Sequence, residues 1–255
     1  MTASEGAEVT VEPVSATPRL GWPGLAVLSA IALGLGLDFA LWLRPGPFLI
    51  DEITYGLMAK SAAEGRPFIW NGYEELASRE LESLQIRATP GGLSAQYPEG
   101  YALLAAPFRA LFGYSGLFLL NACAFLLVAA LCQKLAHRVL GNARAAALAT
   151  ALWAFATYSW EYALAIWPHS VALAAILGCA LFVFDGVERA EDPRAFRRLL
   201  AGGLCVGFGM TVRLDVMLCA GPLLLPLLSR GRTIDPLLPS ARHGKGSPAP
   251  RNRFP

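Results

Sequence analysis

The sequence predicts an all-α fold, a polytopic transmembrane bundle of about six spans with an extracytoplasmic loop that carries interfacial helices. Three observations carry this expectation. Of 255 residues, 55% are hydrophobic and only 16% charged, which is too apolar for an ordinary soluble domain. Mean hydropathy is +0.47. The apolar residues are gathered into runs of near-membrane length, separated by short loops in which arginine and lysine recur. A formal net charge of +2 argues against nucleic acid as a partner, because no basic face is built from the scattered arginines. Cys123, Cys132, Cys179, Cys205 and Cys219 lie inside apolar stretches without CxxC spacing, where they act as small buried hydrophobes.

Residues 1–23 are polar and acidic, with Glu5, Glu8 and Glu12 and no basic start. They read as a disordered cytoplasmic terminus preceding an uncleaved first helix. GLAVLSAIALGLGLDFALWL, residues 24–43, supplies the roughly 20 apolar residues that one crossing needs. Asp38 near its end is costly in lipid and calls for a wet cavity or a partner. Residues 44–113 then form the outer loop. ITYGLMAKSAAEG, 53–65, forms a helix headed by Asp51 and Glu52, whose negative charge suits a first helical turn. EELASRELESLQIR, 74–87, puts Leu76, Leu81 and Leu84 on one face of a surface helix. Tyr97, Pro98, Glu99 and Gly100 force a turn before YALLAAPFRALF, 101–112, which is too short to cross and reads as interfacial.

The second span runs over 115–135, the third over 143–158 and the fourth over 166–184. SWEYALAIWPHS makes a tight turn between the last two, with Trp160, Tyr162 and Trp167 suited to a membrane interface. Residues 199–228 give two tilted spans or a re-entrant pair, broken at Arg213 and Asp215, and the glycines from Gly202 to Gly209, including Gly203 and Gly207 in GxxxG spacing, permit close helix approach. Lys134, Arg138 and Arg144 lie in one short loop, and Arg189, Arg194, Arg197 and Arg198 in another. The positive-inside rule places both in the cytoplasm of a plasma-membrane protein, with the amino terminus inside. The 44–113 loop, the Glu161–His169 turn and the Arg213/Asp215 apex then share the outer face. Residues 231–255, rich in Pro, Arg and Ser, read as a disordered cytoplasmic tail.

The acids at 51 and 52 point about 100° apart on a helix, so one serves a given pocket and the other supports it. Helix capping is the alternative reading. An acidic pair after the first span, an outer loop, and a Pro/Gly turn leading into LLAAPFRALFG together resemble multi-spanning GT-C-type glycosyltransferases. The nearest resemblance is to the dolichyl-phosphate-mannose protein mannosyltransferase-like group, with the aminoarabinose-transferase-like and RgtA/B/C/D-like enzymes, over residues 24–230. The resemblance implies transfer of a sugar from a polyprenyl phosphate to a lipid, glycan or protein acceptor. It implies that Asp51 is the catalytic base, with Glu52 positioning substrate or metal. Tyr97, Pro98 and Glu99 stand where the family turn often carries His-Pro-Pro, so its histidine has no counterpart here.

Chemistry of this class needs one carboxylate to take the acceptor proton and positive charge, from a side chain or a divalent metal, to hold the leaving phosphate. Arg213 is the candidate cation, with Asp215, His169 and Glu161 beside it. Arg213 as a snorkelling boundary residue and His169 as an interface residue are the structural alternatives. Members of the group are usually longer, which leaves two expectations: an N-terminal portion that is inactive alone, or a shorter chain that acts independently. The competing functional readings are a transporter or channel subunit using Asp38, Arg213 and Asp215 along a pathway, and a non-catalytic membrane scaffold.

Overall fold

The computed structural model describes residues 21–42, 47, 49–66, 85–89, 92–219, 221 and 222. In chain order its elements are α1 (Trp22–Leu41), α2 (Ile50–Ala63), β1 (Ile86–Thr89), β2 (Gly92–Ala95), α3 (Gly100–Phe112), α4 (Ser115–Leu140), α5 (Ala143–Phe155), α6 (Ser159–Leu164), α7 (His169–Glu188) and α8 (Ala195–Val212). Four of these helices, α1, α4, α7 and α8, are long and apolar enough to cross a membrane. The expected spans at 24–43 and 115–135 correspond to α1 and α4.

The expected third span is different. α5 has 13 residues, or about 20 Å at 1.5 Å per residue, which is shorter than a bilayer core of about 30 Å. The connection to the fourth span is also longer than a tight turn: α6 intervenes, and α7 begins at His169 after Pro168, which presets the helical φ. The region 199–228 breaks where the sequence places its charges. α8 ends at an extended Arg213, and helical geometry resumes at Val216.

An all-α description omits β1 and β2, which pair antiparallel with Ile86 opposite Ala95 and Thr89 opposite Gly92. This corrects the end of the expected surface helix at 74–87, because Ile86 and Arg87 are extended. IRAT and GLSA flank Pro90 and Gly91 in sequence, a local turn signal, and burial of Ile86 and Leu93 in the core decides for strands. The remainder of that surface helix, the outermost part of the expected N-terminal tail and the 231–255 tail lie outside the described residues. Trp22 and Pro23 already belong to α1.

Side-chain pairing shows which helix ends lie together. Arg138 at the end of α4 bonds Asp185 at 2.6 Å and Glu188 at 2.5 Å near the end of α7. Both arginine-bearing connections are therefore at one end of the bundle. Trp160 donates to Asp38 at 2.9 Å, which supplies the partner that an acid in α1 requires and places α6 beside the far end of α1. The apolar interior forms two clusters. One packs Ile31 and Leu35 against Phe125 and Ala154; the other packs α2, the hairpin and α3 through Tyr55, Met58, Leu93 and Tyr101 onto Leu117, Phe118 and Val212. This second cluster carries the polar end of the molecule.

Candidate functional site

Opposite the Arg138 end, a cavity of about 330 Å³ is lined by Asp51, Tyr55, Tyr97, Pro98, Trp167, His169, Arg213 and Asp215, among others. Its size is in the range of small-molecule sites. Asp51 stands in the first turn of α2. Its Oδ1 accepts a hydrogen bond from the Tyr97 hydroxyl at 2.6 Å, a short charge-assisted contact. Tyr97 is held in turn by its ring, stacked on Tyr55 with centroids 4.7 Å apart. Tyr55 meets Tyr101 edge-on at 5.2 Å, and Tyr101 donates to the fully buried Asn121 at 3.2 Å. Burial and the Asp51 carboxylate raise the Tyr97 phenol above its ordinary value, and burial brings Tyr55 to about 12 against the opposing pull of Arg213. Both phenols remain donors at neutral pH.

Glu52 takes a different role. It is 1% exposed; its Oε1 accepts from the Ile166 amide at 2.9 Å, and its Oε2 accepts from the Leu49 amide at 3.2 Å. The second contact is the return half of a capping box, the N3 acid reaching back to the N-cap amide, while Leu49 has no side-chain acceptor for the other half. The first ties α2 to the α6–α7 linker, which Asn121 also grips through the Ala165 carbonyl. Glu52 is thus outside the lining of the Asp51 cavity and bears on it through the linker it positions. The linker presents Trp167 and His169 to the cavity containing Asp51.

Arg213 arrives from the broken end of α8. Its Nε and Nη2 donate to Asp215 at 2.9 Å and 2.7 Å, which raises the guanidinium further above its ordinary value and holds the Asp215 carboxyl below its own. Nη1 lies 2.9 Å from His169 Nε2. A guanidinium nitrogen only donates, so His169 Nε2 accepts and the ring is neutral with its proton on Nδ1. That Nδ1 is buried and has no partner among the described residues, while the ring face stacks on Tyr162 at 4.3 Å.

The cavity therefore unites Asp51, Tyr97, Pro98, His169, Arg213 and Asp215. Glu99 lies apart, in a neighbouring cavity with Met58, Ser61 and Leu103. Glu161 also lies apart, in a third cavity with Asp38, Glu52 and Trp42. Tyr55, Trp167 and Asn121 join the site without having been singled out for it. Tyr55 was detectable because it follows Asp51 by four residues and so shares its helical face. Asn121 was detectable as a polar residue within a span; Trp167 had only its general fitness for an interface. Among the described residues, no group of three or more His, Cys, Asp or Glu is placed to hold a metal ion. No family model, curated protein or solved structure matches this chain.

Proposed function

We propose that this chain is a glycosyl-transfer unit of the GT-C type, moving a sugar from a polyprenyl phosphate to a hydroxyl on the extracytoplasmic side of the plasma membrane. The observation that carries this reading is that Asp51 and Arg213 line one cavity, although one begins α2 and the other follows α8. A carboxylate and a guanidinium across a small cavity are what transfer from a phosphate-linked donor requires. The acceptor oxygen attacks the anomeric carbon, its proton passes to Asp51, and the bond from that carbon to the phosphate oxygen breaks with its electron pair leaving on the phosphate. General-base assistance of this kind contributes about 10²- to 10⁴-fold in rate.

Arg213 is assigned to the leaving phosphate. Asp215 holds two guanidinium nitrogens, so Nη1, whose partner is the neutral His169, is the nitrogen that exchanges that bond for a phosphate oxygen. Passage across the membrane has less support. The buried amide and hydroxyl groups between the helices at the other end, Gln133 and Thr150, are bonded to each other at 3.0 Å rather than arranged along a path.

Asp51→Asn tests the reading while keeping an acceptor for Tyr97. With membranes containing the full chain and a panel of radiolabelled polyprenyl-phosphate sugars, product formation falls by about 10²-fold or more at equal protein abundance. Equal turnover by the two proteins removes Asp51 from the chemistry.

A further inference from the structure

We propose that the corner between α3 and α4 is a lipid-headgroup site, in which Arg109 holds the phosphodiester of a bilayer phospholipid. It is separate from the Asp51 cavity. The argument begins with charge. Arg138, Arg198 and Arg213 each have a carboxylate oxygen within 3 Å, at 2.5, 2.9 and 2.7 Å. Arg109 is only partly exposed and has no such acid among the described residues, and its Nε is buried with no acceptor. A donor nitrogen buried in this way costs free energy until an acceptor meets it.

Its neighbour deepens the need. The Arg109 guanidinium lies over the Tyr114 ring, 5.8 Å from the centroid. The Tyr114 hydroxyl is also buried without a partner among the described residues, and burial, with the Glu52 carboxylate second, raises that phenol to about 12, so it remains a donor. Two neighbouring side chains thus carry a donor without an acceptor among the described residues, and a phosphate offers the guanidinium fork oxygens at matching spacing.

The surroundings identify the anion as a lipid's. α3 exposes Leu103, Leu111 and Phe112, which are 62%, 75% and 55% accessible, so the arginine is set beside an uncovered apolar surface. Its depth is fixed by Gly116. A Cβ there would strike the Phe108 carbonyl, so the last turn of α3 rests directly on the first turn of α4. α4 is the longest of the four membrane-length helices, at 26 residues. Arg109 is therefore held at the level where an apolar span begins, which is where phospholipid phosphates reside. The apolar side chains enter the acyl boundary and the guanidinium takes the phosphate, as in interfacial helices generally.

The test uses the purified full chain in mild detergent, palmitoyl-oleoyl-phosphatidylglycerol as the probe, and native mass spectrometry to read lipid occupancy. Arg109→Gln lowers occupancy by about tenfold, Arg109→Lys by less, and Arg87→Gln, on the exposed face of β1, leaves it unchanged, with circular dichroism confirming equal helicity. Excess inorganic phosphate does not displace the lipid. Equal occupancy in wild type and Arg109→Gln overturns the proposal, as does an equal loss on Arg87→Gln; displacement by inorganic phosphate overturns the assignment to a lipid. None of these readouts depends on sugar transfer, so the outcome stands apart from the fate of Asp51→Asn.

Discussion

Two adjacent carboxylates with opposite surroundings define the residue scale. Asp51 faces a cavity and one phenol, whereas Glu52 is enclosed and accepts from two backbone amides of different segments. Glu52→Ala leaves both amides without an acceptor, and an unsatisfied buried donor costs about 1–3 kcal/mol. The expected loss is about 2–4 kcal/mol of unfolding free energy in detergent, with Glu52→Gln losing about half because its amide oxygen retains one bond. Chemical unfolding followed by circular dichroism measures both; an unperturbed Glu52→Ala protein removes the clamp. The divergence of the two acids follows from helical geometry and was legible in sequence. The identity of the supporting acid was only implied by resemblance, because it depends on Ile166, a distant amide that no local pattern reveals. The same limit applies to Glu99 and Glu161. Their nearness to the site in sequence was clear, but the face each presents depends on how α3 and α6 are rotated against their neighbours.

At the scale of elements, the α7–α8 pair rests on small residues. A Cβ on Gly209 would lie 2.9 Å from Val216 Cγ1 and 3.1 Å from Ala175, and one on Gly202 would lie 3.2 Å from Val183. Gly203 and Gly207 meet nothing within 4 Å. The sequence shows a glycine-rich helix, and the packing role holds, but the GxxxG pair is the outward one. The contact instead uses positions seven apart, which return to the same face after two turns. Gly209→Leu should therefore destabilise by about 1–3 kcal/mol through overpacking, while Gly203→Leu stays within about 0.5 kcal/mol as an open-surface change. Thermal unfolding of the two variants separates them, and equal shifts would contradict this packing. The hairpin was missed for a different reason. Its strands have four residues each and follow a leucine-bearing helical pattern, so tertiary burial of Ile86 and Leu93 decides a conformation that periodicity over so short a run leaves open.

For the whole molecule, the arginine-rich connections gather at one end and the Asp51 cavity at the other. Under the positive-inside rule a cysteine replacing Ser94 in β2 reacts with an impermeant maleimide on intact cells, and one replacing Arg189 reacts only after lysis. The opposite pattern inverts the topology and places the proposed transfer on the wrong face. The bipolar arrangement was legible in outline because loop charge follows simple counting, whereas the number of crossings was not, since α5 is largely apolar yet only 13 residues long. The polarity reaches into the backbone itself. α2 and α7 both begin beside the cavity and α8 finishes there. Two positive helix poles against one negative leave a surplus of about half an elementary charge. That field comes from peptide groups, so it does not titrate, and no side-chain substitution abolishes it. Whatever enters this chamber meets that fixed field together with the side chains of Asp51, Arg213 and Asp215.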